Sequence, residues 1–263
     1  MFTSLFPSAD IFFKVLCTKL SIALKQFMRR SIDLYIWAFC TLLVTGYIFQ
    51  AFGMKADFGP FQLGGAVATA GLFEIFGNTA NMIMDIEGDR NILYYLTLPT
   101  SAATILLSMV CSFAIMGTLL SLVMVPLGKL LFWNSMDLTL ISPLKLVIIL
   151  ALSNLFFAIL SLAVTAYTKQ MARIGSVWSR FLFPLWFLGG FQYSWFILHK
   201  TIPTLAYISL FNPVTYVMEG TRAAMLGQAG YLSWWGCCAA LCAFIVLIWT
   251  YAYVAMKKHL DFV

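Results

Sequence analysis

The chain has 263 residues, of which 62% are hydrophobic and only 10% charged, where an ordinary soluble domain carries roughly 25% charge. With a mean hydropathy of +0.92, the apolar surface is more than a soluble domain of this length could cover, and intrinsic disorder, which needs low hydrophobicity and high charge, is excluded. The formal charge of +6 reads as membrane topology, because basic residues collect on cytoplasmic loops, and not as a nucleic-acid signature: the composition specifies an all-α polytopic membrane protein.

The first element expected along the chain is an amphipathic helix over residues 9–30, entered at Pro7-Ser8, where the serine can cap free backbone N–H groups. Lys14, Thr18, Ser21, Lys25 and Arg29 recur at helical spacing and make one polar stripe, and Phe12, Leu16, Leu20, Leu24 and Phe27 lie largely off it. Such a helix lies on the inner membrane face; a simple basic anchor that fixes topology is the other reading. The interleaving of basic and apolar residues is unlike a cleavable signal peptide, which has an uninterrupted apolar core.

A spanning helix needs about 20 mostly apolar residues. Such segments follow at 32–52, 61–84, 102–125, 144–167, 177–198 and 233–255, the third stopped by Pro126 and the fifth containing Pro184. An even number of spans puts both termini on one side. With the termini in the cytoplasm, Lys14, Lys19, Lys25, Arg29, Arg30, Arg90, Lys169, Arg173, Arg180, Lys257 and Lys258 face inward. Only Lys55, Lys129, Lys145, Lys200 and Arg222 face outward, as the positive-inside rule requires. The cysteines fall in spans or on the surface helix, away from exported loops where disulfides form. Cys238 and Cys242 share a helix face, but no His, Asp or Glu in that span completes a metal set.

Polar groups inside spans are costly and therefore informative. Glu74 sits near the centre of the second span, and Gly71, Glu74, Asn78, Asn81 and Asp85 form a seam that descends to the inner loop. The run Gly64, Gly65, Ala66, Ala68, Thr69, Ala70 and Gly71 is small enough for close helix approach. Two roles fit Glu74: a substrate-pathway or proton-coupling carboxylate, and a hydrogen-bonded carboxyl that ties helices together. Residues 85–101 form a short loop, acidic first and apolar later, suited to docking on another protein or serving as a connector capped by Asn91 or Ser101. Residues 199–232 form an outer hairpin, re-entrant or interfacial. Asn212-Pro213 starts its helix, Thr215 to Leu226 continue it, Gly227 ends it, and Glu219 and Arg222 are spaced to pair. Among the aromatics near the fifth span, Trp195 suits an interfacial belt, and Trp186 suits either a belt or a pathway.

Three stretches together resemble the membrane subunits of the ABC type-2 exporter permease family. They are Leu210 to Gly227, with its Asn-Pro, aromatic, acidic-x-x-Arg and Leu-Gly pattern; Leu98-Pro99-Thr100-Ser101, like the family's Pro-x-Ser turn into the third span; and Pro184 to Ser194, with Gly189-Gly190 and a following aromatic. The surface helix, six spans and outer hairpin fit in order and length. The resemblance implies a permease that homodimerises in the bacterial cytoplasmic membrane, contacts membrane lipid and binds two copies of a separate ABC ATPase. ATP and Mg would then sit on that partner, with no cofactor on this chain, and no nucleic acid is involved. It implies that Asp85, Glu87, Gly88, Asp89, Arg90, Leu93, Leu96 and Pro99 form the coupling loop. Asn212, Pro213, Glu219 and Arg222 would shape the outer hairpin. The expected substrate is a lipid-linked polysaccharide, glycolipid, drug or other hydrophobic compound. Glu74 stands outside the family pattern, so Glu74, Asn78, Asn81 and Trp186 are assigned to a substrate pathway from the residues alone.

The only Gly-Lys pair, Gly128-Lys129, is followed by Leu130, so no phosphate-binding loop of the G-x-x-x-x-G-K-[ST] type occurs. An integral-membrane lipid-modifying enzyme would need a polar constellation. His199 and His259 fall on opposite sides of the expected topology, and no H-E-x-x-H or G-x-S-x-G motif is present. A proton-coupled secondary carrier would show inverted repeats with broken helices at matching positions, and none is visible.

Overall fold

The computed structural model describes residues 7–25, 27–168 and 170–260; of the expected polar stripe and basic tally, Lys169 and the side chains of Arg29 and Arg30 lie outside the described residues. Among the described residues every regular element is helical. Helix α1 (Pro7–Lys25) leads into α2 (Phe27–Leu43), which continues through a π-helical turn at Val44–Ile48 to Phe49–Ala51. The long α3 (Phe58–Glu87) is followed by the short α4 (Asn91–Leu96), α5 (Ala102–Leu131) and α6 (Pro143–Thr168). An interrupted α7 (Met171–Phe191) turns into α8 (Trp195–Thr201), α9 (Pro203–Ser209) and α10 (Pro213–Met225), and α11 (Trp234–Leu260) closes the chain.

Four helical stretches are long and apolar enough to cross a membrane: Ser31–Ala51, α5, α6 and α11, with a fifth if the bent pair α7 and α8 counts as one. The expected second span is α3, whose 30 residues reach about 45 Å, more than a bilayer core requires. It is less apolar than the others because protein covers it: Gln62 to Leu72 are all buried. A helix shielded on every side is released from the demand that lipid makes on composition. Helix α6 lies beside it at the centre, with 72% of its apolar window buried against 22% for the peripheral α11.

Small residues set the closest approaches, as expected where lipid supplies no hydrophobic drive between helices. The Asn154 carboxamide of α6 wedges between Gly71 of α3 and Gly117 of α5, where a Cβ at either glycine would collide with its Oδ1. Its Nδ2 donates to Leu150 O at 2.8 Å and to Ser121 Oγ at 3.3 Å. Gly128 leaves room for Leu63 in the same way.

Two expected boundaries are corrected. Pro126 does not stop the third span: α5 runs on to Leu131 with Pro126 inside it, since proline removes only one ladder bond and a packed membrane helix tolerates the loss. Of the expected surface helix over 9–30, α1 covers the residues to Lys25 and α2 those from Phe27, with Gln26 between them outside the described residues. The fifth segment is not one continuous helix to Leu198. Helix α7 ends at Phe191 and the chain turns by 81° into α8, because Gly190 takes φ 94°, open to glycine but strained for other residues.

Candidate functional site

The α3–α5 connection is built as a rigid projection. Helix α3 ends where the Gly88 N–H bonds Met84 O at 2.9 Å. Arg90 then adopts the left-handed conformation, φ 56°, an uncommon state for a residue with a Cβ. The turn holds because Asp85 reaches forward across it. Its carboxylate accepts from Ile92 N at 2.7 Å and from Asn91 Nδ2 at 2.8 Å, satisfying an N–H at the start of α4 that has no partner within the helix. Ile92 is 1% exposed and packs with Met82, Ile86 and Leu106, a burial worth about 1.5–3 kcal/mol. Leu96 packs against the same cluster. At the far end Ser101 caps α5, accepting from Thr104 N at 3.2 Å.

Asp85 and Leu96 therefore face inward, and Leu93 is half-buried. Glu87, Gly88, Asp89, Arg90, Tyr94 and Pro99 project outward. Helix α1 packs along α5 and reaches this loop. Lys19 Nζ lies 4.9 Å from the centre of the Tyr95 ring, a cation–π contact. Burial lowers the Lys19 pKa from its usual value, and the charge of Asp85 opposes that shift. Val15 is buried, Lys14, Thr18, Ser21 and Lys25 are exposed as the polar stripe requires, and Phe13 and Leu24 project as a separate exposed apolar side.

At the opposite end, α8, α9 and α10 form the hairpin. The Asn212 side chain accepts from Val214 N at 3.0 Å and donates to Leu185 O at 2.7 Å, so the α10 cap also ties α10 to α7. Pro213 occupies the first turn of α10, and Gly227 leaves the helix with φ 92°. Gly189 lets α7 approach α10, since a Cβ there would lie 2.7 Å from Val214.

Glu219 and Arg222 form no direct salt bridge among the described residues, although each lies within electrostatic reach of the other as their spacing suggested; their hydrogen bonds go to backbone groups. The Glu219 carboxylate accepts from Trp195 N at 2.8 Å, at the start of α8, and from Leu232 N at 3.0 Å, just ahead of α11. Arg222 donates to Gly190 O at 2.7 Å, Phe191 O at 2.8 Å, Tyr193 O at 3.3 Å and Phe61 O at 3.2 Å. Its guanidinium also stacks 3.6 Å from the Phe61 ring centre. A helix end exposes carbonyls and a helix start exposes N–H groups. A buried base meets the first set and a buried acid the second, so the break after α7 is held from both sides. Gly64 and Gly65 make the space, as a Cβ on either would lie 2.9 Å from the Arg222 side chain. Gln62, buried nearby, donates to Gln192 at 2.6 Å.

The four residues assigned to a pathway are not presented alike. Glu74 is half-buried, within electrostatic reach of Tyr35; Asn78 is buried; Asn81 is exposed. Trp186 is buried in an aromatic cluster, 4.5 Å from Phe191, 5.6 Å from Phe73 and 5.9 Å from Trp37 between ring centres. Sequence reasoning missed Asn154, Gln62 and Gln192, and the contact between Lys19 and Tyr95. Two signals were available: a lone Asn inside the fourth span, and polar Gln192 and Ser194 directly after a Gly-Gly pair, which mark the end of α7.

The family model described as ABC-2 type transporter matches residues 14–226, from the surface helix through α10. No curated protein matches the chain.

Proposed function

The chain belongs to the ABC-2 type transporter family and is a multi-pass membrane permease, and from that premise we propose that it forms one half of a homodimeric exporter driven by a separate ABC ATPase. In this reading α3 completes a set of six spans, both termini face the cytoplasm of a bacterial cell, and the loop at 85–101 enters a groove on the ATPase. ATP and Mg are held by that partner. The substrate is a hydrophobic or lipid-linked compound, and Glu74, Asn78, Asn81 and Trp186 belong to its route.

The observation that carries this reading is the loop's construction. Two inward anchors, Asp85 and Ile92, fix a short helix to the ends of α3 and α5, while Glu87, Asp89, Arg90 and Tyr94 are presented to solvent. A rigid, charged projection transmits displacement of a docked partner to two long helices, where a floppy loop would absorb it. Helix α1, touching the loop through Lys19, adds a second contact surface.

The test is co-purification and vesicle transport with the ATPase chain that copurifies with the protein. Glu87→Lys inverts an exposed charge at the tip and is expected to weaken ATPase capture and transport about tenfold or more, with thermal unfolding of the permease unchanged. Transport by the chain alone, or full coupling in the Glu87→Lys variant, would sink the proposal.

A further inference from the structure

A cavity of about 760 Å³ opens between α6, α7 and α11, within the range of about 300–1,000 Å³ for small-molecule sites. It lies at the end of the bundle that carries the coupling loop, because the neighbouring Ala163 and Ala166 share a core cluster with Ile92. Leu160, Val164, Phe181 and Ile248 line its walls, and Arg173 and Arg180 stand at the same opening. Both arginines are exposed, and among the described residues no carboxylate pairs with either. Thr168 also borders the cavity, with its hydroxyl oxygen itself buried.

We propose that this cavity binds an anionic phospholipid, its phosphodiester between Arg173 and Arg180 and one acyl chain along the apolar wall. Two cations at the edge of a bilayer with no carboxylate partner among the described residues call for a counter-charge, and basic pockets between membrane helices take anionic head groups. A soluble anion would answer the arginines but leave the apolar wall wet. A zwitterionic lipid would fill the wall but bring no net negative charge. An anionic phospholipid supplies both chemistries. The inference needs only that the chain resides in a membrane and is independent of the coupling proposal.

The experiment is native mass spectrometry on the purified full chain, offered equal amounts of phosphatidylglycerol and phosphatidylcholine with the same acyl chains. Phosphatidylglycerol should be retained in preference. Arg173→Gln or Arg180→Gln should each weaken that retention about fivefold, and the pair about 25-fold, the worth of basic residues near an anionic surface. Lys257→Gln with Lys258→Gln, which removes equal charge from the same end, should leave retention intact. Should the arginine variants unfold, Ile248→Trp keeps both charges and fills the groove, and it should also expel the lipid. Equal retention of both lipids, or retention of phosphatidylglycerol by the double arginine variant, overturns the proposal. Displacement by millimolar inorganic phosphate also overturns it, because it identifies a site for the free anion.

Discussion

Arg222 carries more structural responsibility than any other side chain in the outer half. It is fully buried, and its planar fork reaches carbonyls on two separate segments at once. A lysine keeps the charge but offers a point donor with different geometry. Arg222→Lys should therefore leave some of the carbonyls of Phe61, Gly190 and Phe191 unmet, at about 1–3 kcal/mol for each buried group left without a partner. The expected outcome is a marked fall in the unfolding temperature in detergent, larger than that of Lys145→Arg at an exposed position; equal melting of the two variants would refute the capping role. Only part of this was legible in sequence. The acidic-x-x-Arg spacing in residues 219–222 flagged two charges in an apolar chain, and helical geometry suggested that they meet. They feel each other's charge, but their hydrogen-bond partners are set elsewhere: Phe61 lies 161 residues from Arg222, a separation that no local pattern encodes.

At the scale of elements, the caps and the closest approaches differ in how far they can be read. Ser101, Asn212 and Gly227 end or begin helices where residue chemistry places them, since a cap acts within a few residues of itself. The crossing of α3, α5 and α6 is another matter. Gly71 stood out in sequence only as one of a run of small residues and Gly117 not at all, and their role appears only because Asn154 of a third helix fills both notches. Gly71→Ala should reduce the folded yield sharply in a fluorescence size-exclusion assay, and Asn154→Ser in the same chain should recover part of it. A coupling above about 1 kcal/mol between the two sites is expected for groups in direct contact; strictly additive effects would show that the contact is not what limits packing. The same distinction explains α7. Its π-helical turns at Trp178–Leu182 and Phe187–Phe191 flank Pro184 and contain the Gly189-Gly190 pair. The residues announced an irregular helix, while the 81° turn was fixed by the carbonyls that Arg222 collects.

For the whole molecule, the loop at 85–101 and the hairpin lie at opposite ends of the bundle, an arrangement that suits the proposed work at one end and release at the other. In a chain otherwise free of cysteine, Phe211→Cys should react with a membrane-impermeant thiol reagent on intact cells, and Asp89→Cys only after the membrane is opened. Labelling of both from outside would overturn the proposed orientation. Composition, apolar segment length and the asymmetry of basic residues determined by themselves that this is a multi-pass helical protein, and with the loop and hairpin motifs they pointed to its family. Those properties are sums over local sequence, and the bilayer acts on them one segment at a time. Tertiary structure alone decided that α3 is a covered central helix, that Glu219 and Arg222 hold a chain break, and that Arg173 and Arg180 border one apolar cavity. Each of these depends on backbone and side-chain groups brought together from helices distant in sequence, and burial and hydrogen bonding act only on neighbours in space.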